Sequence, residues 1–189
     1  MNKQLLISEF LTTPWALMPE RLQAMTAVLT RWSSDVPPSD ETLFQINTDR
    51  VLRDTRKQFA TDRASSNAGA GIAVLPLYGV VTQRGNMVDD ISGPGSTSTQ
   101  QFTSVLRQML ADDTVGQILI DIDSPGGSVY GVSELASEIV KARAQKPVIA
   151  VANSLAASAA YWIGCSASEF YVTPGGEVGS IGVWQAHFD

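Results

Sequence analysis

The stretch Val148-Ile149-Ala150-Val151-Ala152-Asn153-Ser154-Leu155-Ala156-Ala157-Ser158-Ala159-Ala160-Tyr161 decides how the rest of the chain is read. It opens as a short apolar strand over 148–151 and then turns small. Between Ala152 and Ala160 every side chain is Ala or Ser except Asn153 and Leu155. Side chains this small let backbone approach backbone, so the strand is expected to turn at once into a tightly packed helix running to about Gly164. A serine at the start of that helix has its hydroxyl near unpaired N–H groups and the positive end of the helix dipole. A nucleophile with an adjacent oxyanion hole needs that arrangement, and Ser158 is the candidate. An Ala/Ser-rich run suits a closely packed structural helix as well, so the assignment needs a second segment.

That segment is Asp123-Ser124-Pro125-Gly126-Gly127. It follows an apolar strand expected over 115–122, with Ile118, Leu119 and Ile120 at its centre. Residues 99–112 read as a helix with Phe102, Val105, Leu106, Met109 and Leu110 on one face. Residues 132–144 read as another, with Leu135, Ile139 and Val140 inward and Glu134, Glu138, Lys141 and Arg143 outward. A buried strand is expected over 71–81, broken by a turn at Gly79, and a short one around 170–172. The Gly/Ser/Asn/Asp-rich loop over 82–98 is long for a compact domain. Strands alternating with helices imply a mostly parallel α/β sheet. Sites in such sheets lie beyond the carboxyl ends of strands. Both the Ser158 run and Pro125-Gly126-Gly127 occupy such ends.

Acyl transfer needs two N–H donors aimed at the developing oxyanion. Gly127 and Ala159, the latter next to the nucleophile, are the candidate pair. Pro-Gly-Gly also builds ordinary strand-to-helix turns. A phosphate loop is set aside because the Gly-x-x-x-x-Gly-Lys-Ser/Thr spacing is missing.

The remaining features bound the answer. With 189 residues, 44% hydrophobic and 17% charged, the chain has room for one cored domain and an appendage. A net charge of −6 argues against a nucleic-acid partner. The single cysteine, Cys165, excludes an intramolecular disulfide, and a buried free thiol is expected there. A single histidine, His187, rules out histidine-rich metal sites. Glu9 interrupts Leu5-Leu6-Ile7 too early for a secretory signal, and no window approaches a membrane span, so the chain reads as soluble and intracellular. Residues 1–46 are expected as a separate helical segment, with Pro14 and Pro19 bracketing Trp15, Leu17 and Met18. Residues 47–70 read as a charged helix and linker, and the main domain as 71–189.

Three ordered motifs carry a resemblance. Ile122-Asp123-Ser124-Pro125-Gly126-Gly127, Ala157-Ser158-Ala159-Ala160-Tyr161 and Val178-Gly179-Ser180-Ile181-Gly182-Val183 resemble those of the signal peptide peptidase A family of serine peptidases. With Pro14-Trp15 they look most like its tailed-phage prohead (capsid maturation) branch. The resemblance implies a Clp-protease/crotonase-like fold of repeated β-β-α units, a serine endopeptidase working through an acyl-enzyme, and no cofactor or metal. It implies Ser158 as nucleophile, Gly127 and Ala159 as the oxyanion hole, and Gly126, Gly179, Ser180 and Ile181 along the substrate cleft. Its implied partners are scaffold or capsid proteins and further copies of the chain, in the bacterial host cytoplasm or the phage prohead. The general base is then the lysine of a Ser-Lys dyad, expected beyond Asp189 in a domain that is C-terminally incomplete here. Lys141 and Lys146 match no family position. His187 is the alternative base, with Asp189 nearby. Two other readings stand: a catalytically inactive head-assembly component of the same fold, and an acyl-CoA-handling crotonase-type enzyme, which the Ala-Ser-Ala-Ala-Tyr run disfavours.

Overall fold

A computed structural model describes residues 3–33, 71–84 and 95–185. The expected charged helix and linker, and the candidate base His187, lie outside the described residues. The N-terminal segment forms helix α1 (Lys3–Thr12), strand β1 (Trp15–Leu17) and helix α2 (Pro19–Ser33). The main region then runs β2 (Gly71–Tyr78), β3 (Val80–Thr82), β4 (Ser96–Ser98) and α3 (Thr99–Ala111). It continues with β5 (Val115–Ser124), β6 (Gly126–Ser128) and α4 (Val132–Ala142). The last elements are β7 (Val148–Ala157), α5 (Ala159–Cys165), β8 (Glu169–Val172) and β9 (Glu177–Gly179). A long strand, a short strand and a helix recur as β2–β3–α3 (with β4 before the helix) and β5–β6–α4. This is the repeated β-β-α unit expected from the resemblance.

The long strands make one parallel sheet in the order β2-β5-β7-β8, with β9 also pairing β7. The short strands make a second sheet, β1-β6-β3-β4. Alternation sets what the long strands bury. Ile118, Ile120 and Ile122 of β5, Val148, Ala150 and Ala152 of β7, and Leu75 and Leu77 of β2 all enter one core. Phe102 and Leu106 of α3 and Leu135 and Ile139 of α4 cover it. Pro76 is tolerated because β2 ends the sheet order and has only β5 beside it. Gly164 keeps α5 close to the sheet, since a Cβ there would stand 2.9 Å from Phe170 Cζ and 3.1 Å from Ile122 Cδ1.

Several expectations are corrected. The small residues after Val151 do not start a helix; they extend β7 to Ala157, and α5 begins only after Ser158. Pairing with β5 on one side and β9 on the other offers those residues sheet bonds that a helix would forgo. Val140 is half-exposed, because the buried face of α4 is Val132, Leu135, Ala136, Ile139 and Ala142. Cys165 is exposed, one step round α5 from the buried Ile163–Gly164 pair. The N-terminal segment is not wholly helical, since Trp15–Leu17 is a strand within the second sheet.

Candidate active site

Ser158 stands where β7 becomes α5, and it makes that turn in one residue. Its φ of 54° and ψ of −112° lie in a region that L-residues rarely adopt. Such backbone costs on the order of 1–3 kcal/mol and persists only where the surroundings enforce it. Here the enforcement comes from both sides. The Ser158 N–H donates to Gly179 O at 2.8 Å, and Trp162 N–H donates to Ser158 O at 3.0 Å. Strand β9 runs parallel to the end of β7, with Ala157 opposite Gly179. Positive φ values at Gly179 (132°) and Ser180 (53°) then turn the chain. That turn brings Gly182 to Ser158, whose Oγ donates to Gly182 O at 3.2 Å. Ser158 is 7% exposed, whereas the Ile181 side chain is 83% exposed.

The Pro-Gly-Gly segment meets the serine segment. At Gly126, φ is 95°, and a Cβ would stand 2.9 Å from Ala157 O and 3.1 Å from Ala159 N. At Gly127 a Cβ would fall 1.9 Å from Val81 O, so strand β6 fits between its neighbours only with hydrogen there. Gly126, Gly127, Ser158, Ala159, Gly179 and Ser180 are thus gathered at the ends of β5, β7 and β9. Sequence reasoning missed Ser124. Its fully buried hydroxyl donates to Gly79 O at 2.6 Å and accepts from Gly126 N–H at 3.2 Å, fixing the turn that aims the two glycines.

It also missed β1. Val129 N–H donates to Pro14 O at 3.1 Å and Met18 N–H to Pro125 O at 3.2 Å. The alternation of an antiparallel ladder makes Ala16 and Gly127 the bonded pair between them. The Gly127 N–H, one expected oxyanion donor, therefore faces the Ala16 carbonyl. The available signal was Pro14 and Pro19 framing a short apolar run, since a residue before proline is held extended.

The two lysines of the main region, which match no family position, are engaged elsewhere. Lys141 Nζ pairs with Glu138 at 3.0 Å. Lys146 Nζ donates to Met109 O at 2.9 Å and Asp112 O at 2.6 Å. Among the described residues, no group of three or more His, Cys, Asp or Glu is placed to hold a metal, and no helix is long and apolar enough to cross a membrane.

Residues 140–189, which include Ser158, match the model of Peptidase family S49. The chain is 40% identical over 117 residues to the head-tail preconnector protein GP5 of Enterobacteria phage P21, covering 62% of this chain and 23% of that protein. It is 39% identical over 117 residues to the capsid assembly protease C of Escherichia phage lambda, covering 62% and 26%. To Protease 4 of Salmonella typhi it is 33% identical over 123 residues, covering 65% and 19%. The matched stretch thus spans about a quarter or less of these relatives. The solved 1510-N membrane-bound stomatin-specific protease aligns at 20% identity with a TM-score of 0.44, covering 61% of this chain and 49% of that one. The chain is therefore similar to Peptidase family S49 over residues 140–189, and to a phage capsid assembly protease, a phage head-tail preconnector protein and Protease 4 over longer stretches.

Proposed function

We propose that the chain forms the nucleophile-bearing part of a serine endopeptidase that cuts scaffold or capsid polypeptides during phage head assembly. The observation that carries this reading is the strained backbone of Ser158, held at the junction of β7 and α5 with Gly126 against Ala159 N. Strain at a non-glycine residue is kept where geometry matters more than stability. In this reading the Ser158 hydroxyl attacks a peptide carbonyl, and the N–H groups of Gly127 and Ala159 receive the negative charge that develops on its oxygen. The amine leaves with a proton, and water then hydrolyses the acyl-serine.

A neutral, desolvated lysine acts as base in this scheme, and we place it C-terminal to Asp189. The pairing of Lys141 with Glu138, and of Lys146 with two carbonyls, supports looking there. On the same resemblance the working form is a homo-oligomer. The exposed Val178, Ile181, Val183 and Trp184 then supply apolar surface for contacts between copies.

The test compares the complete reading frame, wild type against Ser158→Ala, on a denatured protein and on the neighbouring capsid proteins. Loss of cleavage in a folded variant supports Ser158 as nucleophile. Equal cleavage by both overturns the assignment. If neither cuts, a non-catalytic assembly component of the same fold becomes the better reading.

A further inference from the structure

Strand β1 is an extended polypeptide clamped along both edges beside Ser158. One edge pairs with Gly126–Ser128, in the register Trp15↔Ser128, Ala16↔Gly127, Leu17↔Gly126. On the other edge Trp15 N–H donates to Trp184 O, and Trp184 N–H to Trp15 O, each at 2.9 Å. The two backbones that grip β1 are the ones that flank the serine. Gly126 abuts Ala159 N, and Gly182, two residues before Trp184, receives the Ser158 hydroxyl. Most telling is the Ala16 carbonyl oxygen. A Cβ on Gly126 would stand 2.3 Å from that oxygen and 3.1 Å from Ala159 N, so both atoms border the same small space. A backbone carbonyl of the chain itself therefore faces the Gly127 donor, with Ala159 N across the same space.

Strand addition to an exposed edge is a general way for proteins to hold an extended peptide. We infer that β1 is the resident occupant of the peptide groove, and that an outside polypeptide enters only by displacing Trp15–Leu17. The inference rests on the peptidase reading of Ser158 and adds its regulation. The side chains of β1 add an apolar hold to these backbone bonds. Trp15 and Leu17 pack with Phe10, Leu22, Met25, Leu29 and Val80, away from the serine. Helices α1 and α2 thus act as the anchor of a strap, and loosening the anchor should open the groove without touching the site.

The test uses the full chain carrying Ser158→Ala, with a fluorescein-labelled synthetic peptide copying residues 13–19 as probe. Adding Met25→Ala and Leu29→Ala should tighten peptide binding about tenfold or more, because apparent affinity scales with the fraction of molecules whose groove is open. Bound peptide should also strip hydrogen-exchange protection from the Trp15 and Met18 amides of the chain. A folded variant that binds no better than its parent, or that binds while Trp15 stays protected, overturns the inference. Should the variant not fold, the parent decides. Exchange of Trp15 and Met18 by an opening that leaves Ile120 protected supports a displaceable strap, and exchange only with Ile120 overturns it. Both readouts are made without a nucleophile, so they stand or fall independently of whether Ser158 cleaves.

Discussion

Trp15 and Trp184 are bound to each other through both of their backbone polar groups, at 2.9 Å in each direction. Their side chains differ. The Trp15 indole is buried, donates from Nε1 to Phe10 O at 2.9 Å and lies 5.0 Å from the Phe10 ring, centroid to centroid, while Trp184 is half-exposed. Truncating Trp15 to Ala should therefore cost about 3–5 kcal/mol. Truncating Trp184 should cost about 0.5 kcal/mol or less, as for other exposed positions. Denaturant melts of the two variants test this, and equal losses would contradict the assignment of the anchor to the Trp15 side.

Ser158 is expected to be held against its own preference. Replacing it with Gly, which tolerates positive φ, should stabilise the fold by about 1 kcal/mol, while Ser158→Ala should not. On the proposed nucleophile role, both changes should also lower peptide cleavage by roughly a thousandfold or more. A Ser158→Gly protein that melts below the wild type would show that the backbone at this turn is relaxed.

Gly127 has a different constraint. Its Cβ would meet the Val81 carbonyl at 1.9 Å and the Val81 nitrogen at 2.5 Å, both backbone atoms that cannot rotate away. Gly127→Ala should therefore destabilise by about 3 kcal/mol, through strain between β3 and β6. Thermal unfolding measures this directly, and a loss under about 0.5 kcal/mol would mean the strands separate easily.

Glu138 of α4 ties that helix to α3. Its carboxylate accepts from Arg107 Nε at 2.9 Å and pairs with Lys141 at 3.0 Å. The Arg107 hydrogen bond, followed by that of Lys141, holds its pKa below the ordinary glutamate value. A lowered folded-state pKa means that the stabilisation is present above the unfolded value and is lost as pH falls through the folded one. Glu138→Gln should therefore be slightly less stable at neutral pH and converge with wild type in acid. Added salt should shrink the neutral-pH difference, because both partners are solvent-facing. Parallel pH–stability curves for the two proteins would rule the contribution out.

The sheet was legible because its strands announce themselves through runs such as Ile118-Leu119-Ile120 and its helices through Phe102 and Leu106 at helical spacing. The two strand-end motifs were legible as glycines and a serine placed where parallel sheets put their sites. The extent of β7 was not. Ala152 to Ala157 carry no strong preference, and it is their pairing with β5 and β9 that makes them strand. Strand β1 was hidden for the same reason. Three residues between two helices acquire an extended form only because Gly126–Ser128 and Trp184 stand ready to pair with them, and those partners are remote in sequence. Ser124 was hidden because a bracing hydroxyl and a loop hydroxyl look alike until Gly79 is seen beside it.

The distance along the chain between β1 and its partners has a consequence for how the protein is made. Trp15, Ala16 and Leu17 leave the ribosome before Gly126–Ser128 and Trp184, both of which must follow before both edges of β1 can be satisfied. Until then the nascent chain carries an apolar strand with no ladder to join, while α1 and α2 can already shelter Trp15 and Leu17 among Phe10, Leu22, Met25 and Leu29. Closing so long a loop is slow compared with forming local contacts. The tryptophan side of the strap is therefore free to fold first, and its second edge is fastened only once Trp184, which follows Ser158 in the chain, has emerged.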